Sequence, residues 1–132
     1  MYNETITFYS KNPPNKGVLT NFDVKHSEDN SICGDDLEVY LKIENNKIVD
    51  FSFSGETAII TTACASIFGE SIIDMDINEV IEKKYDYIEE LVGMPISPRR
   101  KQASVLGMLT TINAIYKYLG KDKLLDFDDL ID

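Results

Sequence analysis

Tryptophan is absent from the 132 residues, histidine occurs once, cysteine twice and proline four times. Each scarcity closes off a class of function. A lone His26 leaves no second imidazole for a histidine-rich metal centre and no base for a Ser/His/acid triad. Cys33 and Cys64 cannot make a disulfide framework, and they do not form a C-x-x-C motif. No glycine-rich phosphate loop is present, so nucleotide chemistry has no support. Basic residues are also scarce: 13 Lys and Arg stand against 23 Asp and Glu, a net charge of −10. Such a chain repels nucleic-acid backbones and anionic lipid surfaces, while a basic protein partner remains compatible. No apolar run approaches the ~20 residues needed to cross a bilayer. Met1 to Thr5 carries neither a basic region nor an apolar signal core, so the expected location is the cytoplasm.

What is present suits a globular protein. Hydrophobic residues make up 43% of the chain, enough for a core without disulfides. Without repeats, low-complexity stretches or an evident linker, one domain over residues 1–132 is expected.

The pattern along the chain alternates in type. Residues 3–10 suit a short helix stopped by Asn12-Pro13-Pro14-Asn15. Val18, Thr20, Phe22 and Val24 recur with period two, which predicts a strand, and polar His26 to Ser31 then predict a loop. A hairpin follows, with Leu37, Val39, Leu41 and Ile43 inward, a turn at Asn45-Asn46, and Val49, Phe51 and Phe53 inward on the return strand. Gly55 ends it. Ala58 to Phe68 predicts a helix whose small residues permit close approach to a neighbour. Capping-box spacings at Asp76 to Glu79 and Asp86 to Glu89 predict two short helices, with Gly93 closing the second. Ser97 and Pro98 open a long helix to about Leu119, with a stripe of Val105, Leu106, Met108, Leu109, Ile112, Ile115, Tyr116 and Leu119. The acidic end, Asp126 to Asp132, reads as a solvated, frayed terminus. The predicted class is α+β: a small three-stranded antiparallel sheet, helices on one face and a long helix near the C-terminus.

Several segments carry a family resemblance in their order and spacing. They are Tyr2-Asn3, Asn12-Pro13, Asn15 to Leu19, Cys33-Gly34-Asp35, the ungapped stretch from Asp50 to Glu70 with Gly55-Glu56, and Met94 to Leu109. Together they resemble the U-type iron–sulfur cluster assembly scaffolds, including NifU N-terminal domains, across nearly the whole chain. The resemblance implies a site of three cysteines and an aspartate that holds a nascent cluster or zinc and receives sulfur from a cysteine desulfurase. Thiolates suit soft iron and zinc, while a carboxylate leaves the site able to release its cargo. Residue by residue, Cys33 and Asp35 match. The second cysteine position reads Ala58 and the third Gln102, so one chain lacks the four-ligand set.

The remaining candidates are auxiliary. Glu56 belongs to the loop expected near Cys33, and Asp36 follows Asp35. Cys64 lies about 600° around the helix from Ala58 and reads as a core residue, while His26 reads as a surface residue. Arg99, Arg100 and Lys101 crowd a helix N-terminus, where the macrodipole disfavours cations. Either an anionic neighbour compensates them or they extend into water; beside Cys33 they would raise its thiolate fraction. The resemblance thus implies a non-enzymatic scaffold that binds iron, zinc or a nascent cluster at a reduced site. Two chains could share one, since a homodimer supplies two Cys33 and two Asp35. Sulfur carriage on Cys33 without metal is a further reading. The alternative is a degenerate paralogue that binds and regulates a desulfurase or other assembly proteins without a cluster.

Overall fold

The computed structural model describes residues 2–30 and 34–131. Helix α1, Glu4–Lys11, starts where the Asn3 side chain accepts the Ile6 amide, and Asn12 closes it. Three strands follow, β1 Val24–Asn30, β2 Asp35–Glu44 and β3 Lys47–Glu56, antiparallel in the order β1-β2-β3. Then come α2 Ile59–Ser71, α3 Ile77–Val80 and α4 Tyr85–Val92. A 3₁₀ turn, Pro98–Arg100, leads into the long α5, Lys101–Tyr118, and α6, Phe127–Leu130, ends the described chain. The α+β class, the three-stranded sheet and the helices on one face agree with the sequence pattern.

The first strand lies later than its alternation predicted. Val18 is 67% exposed and Phe22 is exposed as well, while the polar segment from Val24 to Asn30 pairs with Leu41 to Asp35. That segment is a strand because its partners lie far away in sequence. Its Glu28 carboxylate accepts from Asn113 of α5 at 2.8 Å, and His26 meets the same oxygen at 2.7 Å. His26 is consequently half-buried in this contact rather than a free surface side chain.

The hairpin turn uses Asn45 and Asn46 at φ of 52° and 62°, as their tolerance of the left-handed region predicts. One residue is out of phase. Ile43 faces Ile48 and Lys42 faces Asp50, so Val49 is the extra residue of a bulge, and Ile48 takes the buried place expected for Val49. Gly55 is required at the far end of β3. Its φ is 122°, and a Cβ there would stand 1.9 Å from the Asp36 carbonyl oxygen.

Leu37, Val39, Leu41, Phe51 and Phe53 carry the sheet side of the core, and α2 and α5 supply the other. Residues Ile60 to Gly69 of α2 and Ala103 to Ile115 of α5 are buried all round, a wider face than one stripe, whereas Leu119 is exposed. The helices meet where Gly107 faces Ala65; a Cβ on Gly107 would lie 2.7 Å from the Ala65 Cα and Cβ. This is the close approach that the small residues of α2 anticipated.

Other corrections concern helix ends. Helix α4 begins after Lys84, so Asp86 lies within its first turn and does not cap it, whereas Gly93 ends it in the left-handed region as expected. Asp76 does cap α3, but through the Asn78 amide alone. Ser97 makes no side-chain cap to the turn that follows it. The acidic tail is docked. Asp126 and Asp129 form a reciprocal capping box, Leu130 is buried, and the Asn113 amide bonds both the carbonyl and the N–H of Leu125.

Two substitutions test this packing in chemical denaturation. Leu109→Ala leaves a core cavity and should cost about 2–5 kcal/mol. Gly107→Ala should cost about 1–3 kcal/mol by forcing α2 and α5 apart, despite alanine's better helix propensity.

Candidate functional site

The end of the sheet where β2 begins and β3 finishes meets the start of α2. Ala58 occupies the N-cap position of α2 and has no side chain that could accept a hydrogen bond. The missing acceptor comes from β2. The buried Asp35 carboxylate, 3% exposed, accepts the Ala58 amide at 2.8 Å through Oδ1 and the Thr61 hydroxyl at 2.7 Å through Oδ2. Thr57 and Thr62 hydroxyls pair at 2.6 Å beside it. A carboxylate at a helix N-terminus also interacts favourably with the helix dipole.

Around this buried knot the surface is acidic and apolar. Asp36 and Glu56 are exposed and stand opposite each other across the β2–β3 ladder. Like charges so placed oppose pairing rather than aid it. Ile59, the first residue of α2, is 57% exposed; Ala58 before it is exposed, as is Gly34, which precedes Asp35. Cys33 lies outside the described residues.

The cationic cluster finds aromatic partners. Arg100 lies over the Tyr2 ring at 5.3 Å and Lys101 over the Tyr85 ring at 4.6 Å. Arg99 is exposed, and Gln102 is half-buried in the first turn of α5. The ion pairs among the described residues join none of these three cations to Asp35 or Glu56. The structure therefore joins Asp35 to the Ala58 position, and takes Arg100 and Lys101 to the rings of Tyr2 and Tyr85.

Cys64 is 1% exposed in the core, and burial pushes its thiol up to about 12. Among the described residues no three His, Cys, Asp or Glu side chains converge as a group able to hold a metal ion. The donor chemistry agrees: Ala58 offers a methyl, and both Asp35 oxygens already accept hydrogen bonds. The residues described here do not fit a four-ligand cluster or zinc site. Sequence reasoning missed Thr61 and the Thr57–Thr62 pair. Their signal was present in Thr57-Ala58-Ile59-Ile60-Thr61-Thr62, a helix start rich in hydroxyls with no capping residue at position 58.

The family model described as the NifU-like N terminal domain matches residues 1–124. The chain belongs to this family. The iron-sulfur cluster assembly scaffold protein IscU of Thermotoga maritima is 34% identical over 94 residues, spanning 71% of this chain and 63% of that protein. The zinc-dependent sulfurtransferase SufU of Bacillus subtilis is 30% identical, spanning 91% of this chain and 92% of that protein. Among solved structures, the SUF-system scaffold candidate FiSufU from Fervidobacterium islandicum superposes with a TM-score of 0.77 at 24% identity, covering 86% of this chain and 96% of its own. The N-terminal part of a NifU-like protein from Brucella abortus gives 0.75 at 18%, covering 90% and 94%. At these identities the structural likeness speaks for the fold alone. No helix of the described residues is long and apolar enough to cross a membrane.

The state of Cys64 has a measurable consequence. A thiol that ionises near 12 has a thiolate fraction of about 10⁻⁴ at pH 8. In Cys33→Ser, iodoacetamide labelling of Cys64 should be more than about 100-fold slower in the folded protein than in denaturant. The linkage has a definite sign. The folded state holds the proton that the unfolded state begins to lose near 9, so this contribution to stability is whole below pH 9 and declines as pH rises toward 12. Replacing Cys64 with alanine should flatten that alkaline loss in denaturation measured from pH 8 to 10.5.

Proposed function

We propose that the chain serves iron–sulfur cluster assembly as a scaffold-type binding protein that docks and regulates assembly partners, a cysteine desulfurase foremost, without itself holding a cluster. Membership of the NifU-like N-terminal family and likeness to proteins named as cluster assembly scaffolds support the pathway. The scaffold names also support a non-enzymatic protein, because scaffolds bind rather than turn over. The single observation that carries the cluster-free reading is the start of α2. Where the resemblance implies a thiolate ligand stands Ala58, and the neighbouring Asp35 is committed to the helix.

The surface around that start suits docking. Asp36 and Glu56 present paired negative charge, and Ile59 presents an unusually exposed aliphatic side chain. A partner surface with a cation beside an apolar contact would relieve the Asp36–Glu56 repulsion and bury Ile59. The chain's net charge of −10 favours the same kind of partner through long-range attraction.

The test uses the chain with a purified cysteine desulfurase. The two should co-elute in gel filtration, and Cys33→Ser should co-elute equally well. Glu56→Lys and Ile59→Asp should each weaken binding by about tenfold or more, equivalent to ~1.4 kcal/mol, with thermal midpoints no lower than wild type, because both side chains are exposed and Glu56→Lys removes the like-charge pair with Asp36. Anaerobic incubation with iron, cysteine and the desulfurase should leave the chain without iron–sulfide absorption. Visible absorption in the wild type that disappears in Cys33→Ser would instead establish a cluster-holding scaffold built on Cys33 and Asp35.

A further inference from the structure

A capping box has two halves: the N-cap side chain accepts an amide from the first turn, and an acid at the third helical position reaches back to the N-cap amide. In α2 the third helical position is Thr61, which has no carboxylate, and the N-cap is Ala58. Asp35 of β2 accepts the Ala58 amide, the bond normally made by the helix's own acid, and the Thr61 hydroxyl grips its other oxygen. We infer that Asp35 is the acid of a capping box divided between β2 and α2, and that in this chain it latches the helix to the sheet rather than ligating a metal. This rests on the geometry of α2 and does not depend on whether a desulfurase binds.

The inference follows from competition for the same two oxygens. Each lies within 2.8 Å of a protein donor, and the carboxylate is 3% exposed. A cation would have to reach a carboxylate that is almost wholly buried and share each oxygen with a polarised N–H or O–H, which weakens the hold on the helix start. Asn30, which faces Asp35 across β1–β2, is also buried, and no described contact satisfies its side-chain Nδ2. The latch needs no metal, so α2 and the Asp36, Glu56 and Ile59 surface are assembled in the free protein.

A double-mutant cycle on the full chain tests this. Thr61→Val keeps the shape and removes the donor, and Asp35→Asn keeps an acceptor for the Ala58 amide. Each should lower the thermal midpoint by several degrees, on the order of 5 °C, and raise hydrogen exchange at residues 58–62 by about tenfold. The double variant should lose clearly less than the sum, because each change removes the same charge-assisted Thr61–Asp35 hydrogen bond, which the amide of Asp35→Asn replaces only with a neutral one. Wild-type midpoint and exchange should stay the same in EDTA and with added Zn²⁺. Additive losses in the cycle, or wild-type exchange at residues 58–62 in Thr61→Val, would overturn the latch. A Zn²⁺-dependent rise in the wild-type midpoint that is abolished by Asp35→Asn would return Asp35 to a ligand. Partner binding is read separately, so its failure would leave this result standing.

Discussion

Helix α2 is buried along almost its whole length, packed chiefly against α1 and α5 and also against β3, and the rest of the fold is arranged around that burial. A helix in this place must approach its neighbours closely, which is why Gly107 meets Ala65 and why Gly69 lies against the Phe51 ring. Its start reaches the surface at Ala58 and Ile59, but the Ala58 amide is turned onto the buried Asp35 carboxylate. The buried environment makes an unpaired amide costly, by about 1–3 kcal/mol. Asp35 meets that demand from the neighbouring strand, and the strand can reach only because Gly55 lets β3 pass against the Asp36 carbonyl. Close packing at one end of the helix and a borrowed carboxylate at the other are two answers to one constraint.

That constraint bears on how a family site can change without loss of the fold. The core is supplied by Leu37, Val39, Leu41, Phe51, Phe53 and the buried faces of α2 and α5. Among these side chains Cys64 and Met108 alone carry sulfur, and both are sealed in the core at 1% exposure or less. Positions 58 and 102 lie at helix starts, where an alanine or glutamine substitutes without disturbing the core. The cations at the start of α5 are likewise accommodated locally, through the faces of Tyr2 and Tyr85. The packing of the core therefore does not depend on the residue types at positions 58 and 102, whereas Asp35 takes part in holding α2 to the sheet.

The readability of the sequence divided along physical lines. Local patterns were legible: the Asn3 start and proline stop of α1, the Asn45-Asn46 turn, the Gly93 stop and the course of α5 all follow from short-range conformational preference. Patterns that depend on distant partners were not. The segment from Val24 to Asn30 looks like a loop because Glu28 and Asn30 are polar, and only Asn113, β2 and α5 make their inward placement favourable. The bulge at Val49 shifts one residue out of a regular alternation, and the docked tail depends on an asparagine twelve residues upstream of Leu125.

At the site, the sequence by itself determined the chemical inventory: alanine at 58, glutamine at 102, Cys33 and Asp35 two positions apart, and one histidine in the chain. Residue types are local facts, and they decide which bonds are available. Tertiary structure decided how the remaining groups are used. Asp35 bonds across 23 positions to Ala58 and across 26 to Thr61, while Arg100 and Lys101 stack on rings from other elements. Hydrogen bonds and cation–π contacts act over a few ångströms, so their partners are set by where the folded backbone brings groups together and not by their order in the chain.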